Sequence, residues 1–236
     1  MPPSGRLSRQ TFLPPLPATL TRYGLLIAVL AALPASAASP DFAARCNALA
    51  AAARVRVVFE DRPVAYDNHH DTAALGRRSG AAASRNHSVL GVTHATPQSR
   101  LEVTARALVD TDGRVCAAPD ITLNLGFSEM TVSLARELTT ACQRQLVGAH
   151  EQQHVAIWRN HYRAGARLIE TRLRQTPPAP LYFATRQAMQ HGLSVQIKAR
   201  IAPLLARLDA GIGAAHASID SPTAYREVES RMRTCP

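Results

Sequence analysis

Lysine is almost missing from this chain. Lys198 is the only one, so arginine supplies nearly all of the 27 basic residues. Set against 17 acidic residues, they leave a formal charge of +10, a balance that can mark a partner of nucleic acid or of an anionic membrane. Two further absences argue against nucleic acid. There is no dense Arg/Lys block in the chain after its first forty residues, and the aromatics, 5% of the chain, do not interleave with basic residues. The arginine bias reads more simply as the mark of a GC-rich coding sequence. The chain has no CxxC and no Cys/His ribbon spacing, which argues against a cysteine-held structural zinc. No internal repeat, phosphate loop or Ser/His/Asp order stands out. The apolar run Gly24–Leu33 (GLLIAVLAAL) is about half of what a membrane-spanning helix needs.

That short run belongs to a recognisable leader. Arg6, Arg9 and Arg22 precede it, and Ala35-Ser36-Ala37 follows as a small-x-small cleavage pattern. Residues 1–37 are therefore expected to be a bacterial secretion signal, with a retained membrane anchor as the alternative. Residues 38–236 are expected to be a single periplasmic or secreted domain. Losing the three leader arginines lowers the formal charge from +10 to +7. Arg45, just before Cys46, spoils a lipid-attachment box. All four cysteines (Cys46, Cys116, Cys142 and Cys235) lie beyond the leader, and an even count in an exported chain favours two disulfides. Cys116 and Cys142 flank an expected β-hairpin that runs into a helix. That favours Cys116–Cys142 with Cys46–Cys235, and leaves Cys142–Cys235 as the alternative.

The pentapeptide His150-Glu151-Gln152-Gln153-His154 has the pattern HExxH. On a helix, residues four apart share one face, so two imidazoles can grip one zinc ion while the glutamate beside the first takes a proton from the attacking water. The surrounding sequence is helical in character. Thr140 and Gln143 form a capping box at its start, and Pro177 and Pro178 close it. Val147, His150, His154, Ile157, Trp158, His161 and Leu168 recur at three- and four-residue steps, the expected inward stripe.

Ahead of this helix, residues 39–57 suggest a short helix leading to an extended segment, Val55–Glu60, followed by a polar mobile loop over 61–87. Short alternating runs at 88–94, 101–109, 114–117, 121–125 and 130–135 are broken by turn signals at Asp110–Gly113 and Gly126–Glu129. They predict an antiparallel β-meander, with Met130–Leu134 as an edge strand beside the HExxH helix. A second helix from about Thr185 to Leu208, kinked at Pro203, and a short one over Ser221–Arg231 complete an α+β fold with a C-terminal helical region.

The order Cys116, Gly126-Phe127, Met130-Thr131-Val132, Ala135-Arg136-Glu137, Cys142 and Ala149-His150-Glu151-Gln152-Gln153-His154-Val155 resembles a group of uncharacterised exported bacterial proteins predicted to be zincin-like peptidases. The resemblance covers about a fifth of the chain. It implies a zincin-like domain using Zn2+, with His150 and His154 as ligands and Glu151 as general base. The longer metzincin motif requires Gly at 157 and His at 160, where this chain has Ile157 and Asn160.

The third ligand is therefore open. His161 lies about 10 Å along the helix from His154, out of reach of a zinc held there. A helix returning from the Pro177–Pro180 turn would bring residues 203–210 level with the metal, which ranks Asp209 first and His216 second. Glu170 is too far along its own helix, and His191 pairs with the far end. Tyr162, Tyr182 and Tyr225 are candidates for an oxyanion donor. Glu137 is expected to cap the HExxH helix, and His69, His70, Asp71, His87 and His94 to be solvated polar residues. The expected function is an exported zinc metallohydrolase acting on a peptide or protein. A non-catalytic zincin-like periplasmic protein, binding a partner or the cell envelope, is the alternative. A disulfide-stabilised structural protein with a coincidental HExxH stands behind both.

Overall fold

One long strand, β4 (Val115–Leu134), is the axis of the fold. The structure is a computed structural model and describes residues 40–79, 88–175 and 179–236. The expected leader, His87 and the Pro177-Pro178 stop lie outside these residues. The remaining elements are α1 (Pro40–Ala51), β1 (Val55–Glu60), β2 (Ala65–Asp67), α2 (Thr72–Ser79), β3 (Gly91–Val109), α3 (Ala141–Gln175), β5 (Leu181–Phe183), α4 (Arg186–Ile219) and α5 (Pro222–Met232).

The expected antiparallel meander does not form, although the arrangement remains α+β in the broad sense. β1 pairs parallel with β4 at Ile121–Gly126, and β2 pairs parallel with it at Thr131–Ser133. β3 pairs antiparallel along the whole of β4, and β5 pairs antiparallel at Val115–Ala117. Since β3 occupies one side of β4 from end to end, β5, β1 and β2 follow one another along the other side. The alternation of apolar residues is the same in parallel and antiparallel strands, so the sequence pattern could not tell them apart. The Asp110–Gly113 turn is present, with Gly113 at φ 79° donating to the Asp110 carbonyl at 3.0 Å. The expected Gly126–Glu129 turn is absent. Thr96 pairs with Glu129 and Pro97 with Phe127, which leaves Ser128 as a β-bulge inside a continuous strand. Pro97 lacks an N–H, and a bulge is where a strand tolerates that.

Met130–Leu134 is consequently a central segment between β2 and β3, buried along most of its length, and not an edge. Among the described strands, β3 pairs only with β4, so the edge role passes to β3. The expected mobile loop over 61–87 contains β2 and α2. Leu75 of α2 is fully buried against Ala135, Leu138 and Val147. Glu137 accepts from the Thr72 backbone N–H and so caps α2, not α3.

The capping box at the start of α3 forms as expected. Gln143 N–H donates to Thr140 Oγ1 at 3.2 Å, and Thr140 N–H to Gln143 Oε1 at 3.4 Å. From there α3 presents two inward faces. Val147, Glu151, Val155, Tyr162, Ala166 and Ile169 are buried. Val155, Tyr162, Ala166 and Ile169 join β4 residues such as Leu123, Leu125 and Phe127 in the core, and Val147 packs with Leu75 and Leu138. His154, His161 and Gly165 meet α4, where a Cβ on Gly165 would come within 2.8 Å of Leu208. The stripe legible in the sequence is mainly the α4-facing one, and Leu168 within it is 57% exposed. α4 runs unbroken through Pro203. None of the described helices is long and apolar enough to cross a membrane.

Two disulfides are present, Cys46–Cys116 and Cys142–Cys235. The favoured pairing of Cys116 with Cys142 is wrong for a clear reason. With no hairpin between them, β4 extends by about 3.3 Å per residue and carries Cys116 tens of ångströms from the start of α3. Cys116 instead meets Cys46 and Phe42 of α1 in a small separate core. Cys142–Cys235 closes a loop over a sequence separation of 93 residues and ties the start of α3 to the tail after α5.

Peptide mapping without reductant is expected to recover Cys46–Cys116 and Cys142–Cys235 and no Cys116–Cys142 linkage. Replacing both Cys142 and Cys235 by Ser is expected to cost about 2–5 kcal/mol in denaturant unfolding. A Cys116–Cys142 peptide would overturn the continuous β4.

Candidate metal site

Asp220 sits where α4 stops and α5 begins. Pro222 restricts Ser221 to an extended conformation (φ −69°, ψ 150°), which ends one helix, and the Ser221 hydroxyl then caps the next by accepting from Ala224 N–H at 3.3 Å. Asp220 is thereby the C-cap of α4, at the negative end of the helix dipole. A carboxylate there is disfavoured unless donors or a cation face it. Three donors do. His150 Nε2 lies 3.3 Å, His154 Nε2 3.1 Å and the Tyr225 hydroxyl 3.0 Å from Asp220 Oδ1. Burial pushes the Asp220 carboxyl up, but the bonds from His150 and His154, with Tyr225 behind them, hold it well below the usual carboxylate range. The bond to Asp220 raises His150 against its burial.

The potential ligand atoms of His150, His154 and Asp220 all lie within 4.8 Å of one another, so the three could hold a metal ion. The donor set fits such an ion well. Two imidazole nitrogens and one carboxylate oxygen converge on one point, each half-buried or buried, and three protein ligands leave a further position open for chemistry.

Glu151 is turned about 100° round α3 from His150, toward the sheet. It is buried, and its Oε2 accepts from Thr93 Oγ1 of β3 at 2.7 Å. Burial raises its pKa, while the Thr93 bond and the two histidines oppose the rise. Gly91 makes room for it. A Cβ at that position would lie 2.5 Å from Glu151 Oε1 and 2.8 Å from its Cγ. Gln152, about 200° round the helix from His150, donates to the exposed Tyr66 hydroxyl of β2 at 2.9 Å. β2 therefore lies beyond the far face of α3, and β3, whose outer edge is unpaired among the described strands, lies on the side of Glu151.

Of the two ranked third ligands, neither joins the group. Asp209 is exposed on α4. His216 packs behind His154, with the two Nδ1 atoms 2.7 Å apart, and its ring stacks obliquely on Trp158 at 5.1 Å. Burial lowers the His216 pKa to about 4, with His154 adding to the shift. The count from the proline turn fails because β5 intervenes. The chain first adds β5 to β4, and α4 begins only at Arg186, its first turns packing on the sheet through Leu193 and Ile197. Gly165 then lies against Leu208, His161 against Gly211 and His154 against His216, which brings Asp220 level with His150. Asp220, Gly91 and Thr93 were missed. Only Asp220 had a local signal, the helix-stop and helix-start corner Asp220-Ser221-Pro222.

The other candidates separate cleanly. Tyr162 is buried among Phe59, Phe127 and Trp158, and burial pushes its hydroxyl up to about 12. Tyr182 is half-exposed on β5, paired with Cys116 at the distant end of β4. Tyr225 alone of the three is at the site, its ring 5.6 Å from that of His150. His70 and Asp67 pair at 2.9 Å, Asp71 caps α2 through Ala74 N–H and meets Arg136, and His94 contacts Thr96 within β3.

Set beside known proteins, the chain matches no protein-family model, no curated protein and no solved structure, and its functional reading rests on this site.

Proposed function

We propose that this chain is an exported, zincin-like zinc metallohydrolase that cleaves peptide bonds. The observation that carries the reading is the convergence of His150, His154 and Asp220 next to the buried carboxyl of Glu151. Zinc, when bound there, supplies a Lewis acid beside the scissile carbonyl. Glu151, steadied by Thr93, takes a proton from the attacking water and passes it to the leaving amine. Tyr225, partly exposed beside His150, can turn its hydroxyl from Asp220 to the carbonyl oxygen once a metal takes over that carboxylate. The open edge of β3 supports a peptide as the substrate, because an extended backbone can pair with a free strand edge. Two disulfides support an oxidising, extracytoplasmic compartment.

Purified protein is expected to bind one zinc per chain by elemental analysis. His150→Ala, His154→Ala and Asp220→Ala should each lose it, and Asp209→Ala should keep it. Zinc retained by Asp220→Ala would exclude that residue as third ligand. Glu151→Gln should keep the metal and reduce cleavage of an unstructured protein by about 10²-fold or more. A wild-type protein that holds zinc and cleaves no member of a broad peptide library would favour the non-catalytic alternative.

Gly91→Ala is expected to keep zinc and lower turnover by roughly 10²-fold, the scale of a 1 Å misplacement of a reacting group. Unchanged turnover would mean that Glu151 is not held against β3 during the reaction.

A further inference from the structure

His216 touches the metal group without belonging to it. It lies four residues before Asp220, so the last turn of α4 presents both to α3, opposite the pair His150 and His154. We propose that His216 is a positioning residue, which accepts a hydrogen bond from His154 Nδ1–H when zinc is bound and so holds the His154 ring with a bare Nε2 turned toward the metal beside Asp220. The inference rests on the zinc reading above.

The argument follows from counting protons. His154 has two ring nitrogens, and each has one near partner. Nε2 is 3.1 Å from Asp220 Oδ1, and Nδ1 is 2.7 Å from His216 Nδ1. To ligate a metal through Nε2, a neutral imidazole must keep that lone pair free and carry its proton on Nδ1. Nδ1–H can then donate only if His216 Nδ1 is bare, which puts the His216 proton on Nε2. The opposite arrangement, with His216 Nδ1–H donating, puts the His154 proton on Nε2, where it donates to Asp220 while no metal is bound, and it must give way when a metal binds. The tautomers of the two rings are thus coupled, so that a metal on His154 Nε2 goes with a His216 that accepts at Nδ1.

The surroundings keep that choice narrow. Among the described residues His216 Nε2 is buried with no hydrogen-bond partner, so no second described group competes for its orientation. Trp158 packs against the ring, and His161, the other titratable group facing it from α3, lies one turn away against Gly211. Metal-ligating histidines commonly donate their second N–H to a carboxylate or a backbone carbonyl. A neutral imidazole does the same work here without adding charge beside Asp220.

The test measures zinc affinity by chelator competition for wild type, His216→Leu and His216→Asn, with thermal melts of each. Nitrogen-15 NMR of the zinc-loaded wild type gives the tautomer of His154. Leucine is expected to weaken zinc binding by roughly 10–100-fold. Asparagine should recover most of that loss, because its Oδ1 takes the position of the imidazole Nδ1. The His154 proton is expected on Nδ1. Wild-type affinity in His216→Leu overturns the inference. So does a folded His216→Asn that binds as weakly as the leucine variant, or a His154 proton found on Nε2. A wild-type protein that takes up no zinc at all overturns the metal reading beneath it, which is a separate and recognisable failure.

Discussion

All 19 residues of β3 are paired with β4, and that end-to-end ladder, broken only by the bulge at Ser128, decides where everything else can go. It occupies one side of β4 completely, so the three short strands must share the other. It keeps Cys116 far from Cys142 and leaves Cys116 to α1. It also gives α3 a continuous apolar seat, with Val155, Tyr162 and Ile169 set against Leu123, Leu125 and Phe127. With α3 fixed on that seat, Glu151 has to face the sheet. The missing side chain of Gly91, the hydroxyl of Thr93 and the two neighbouring histidines make that burial tolerable for a carboxyl group.

The metal group has a different origin. It is assembled from two helices whose relative level is set by β5, a strand of three residues. By pairing with the start of β4 before α4 begins, β5 shifts the whole returning helix along α3. The helix ends at an aspartate lodged among two imidazoles and a phenol. An acidic C-cap is an electrostatically poor choice for a helix on its own. It is understandable where two imidazoles and a phenol face it, in a group that could hold a cation. The disulfide Cys142–Cys235 then ties the segment after α5 back to the start of α3, so the halves of the site are joined covalently as well as by packing.

Much of this was legible one segment at a time. The capping box at Thr140 and Gln143, the uninterrupted run of α3, the Gly113 turn, the short helices at both ends of the domain and the paired histidines all depend on contacts within a few residues. Local stereochemistry writes such features directly into the chain. The core stripe of α3 was misjudged because Glu151 occupies the sheet face, where a pattern of apolar residues does not lead one to look for an acid.

By itself, then, the sequence determined α3, the start of α4 and the short α5, though not the run of α4 through Pro203 to Ile219. It also determined the likeness of His150, Glu151 and His154 to a metal-hydrolase motif and the pairing of all four cysteines in some order. Tertiary structure alone decided the direction of β1 and β2, the identity of the edge strand, the disulfide partners and the placing of Asp220, in preference to Asp209 or His216, beside His150 and His154. The reason is common to all of these. Each depends on a long-range register, of strand against strand or helix against helix. The repeating periods of side chains, two in a strand and 3.6 in a helix, state which face is buried but not where along a neighbour that face comes to rest.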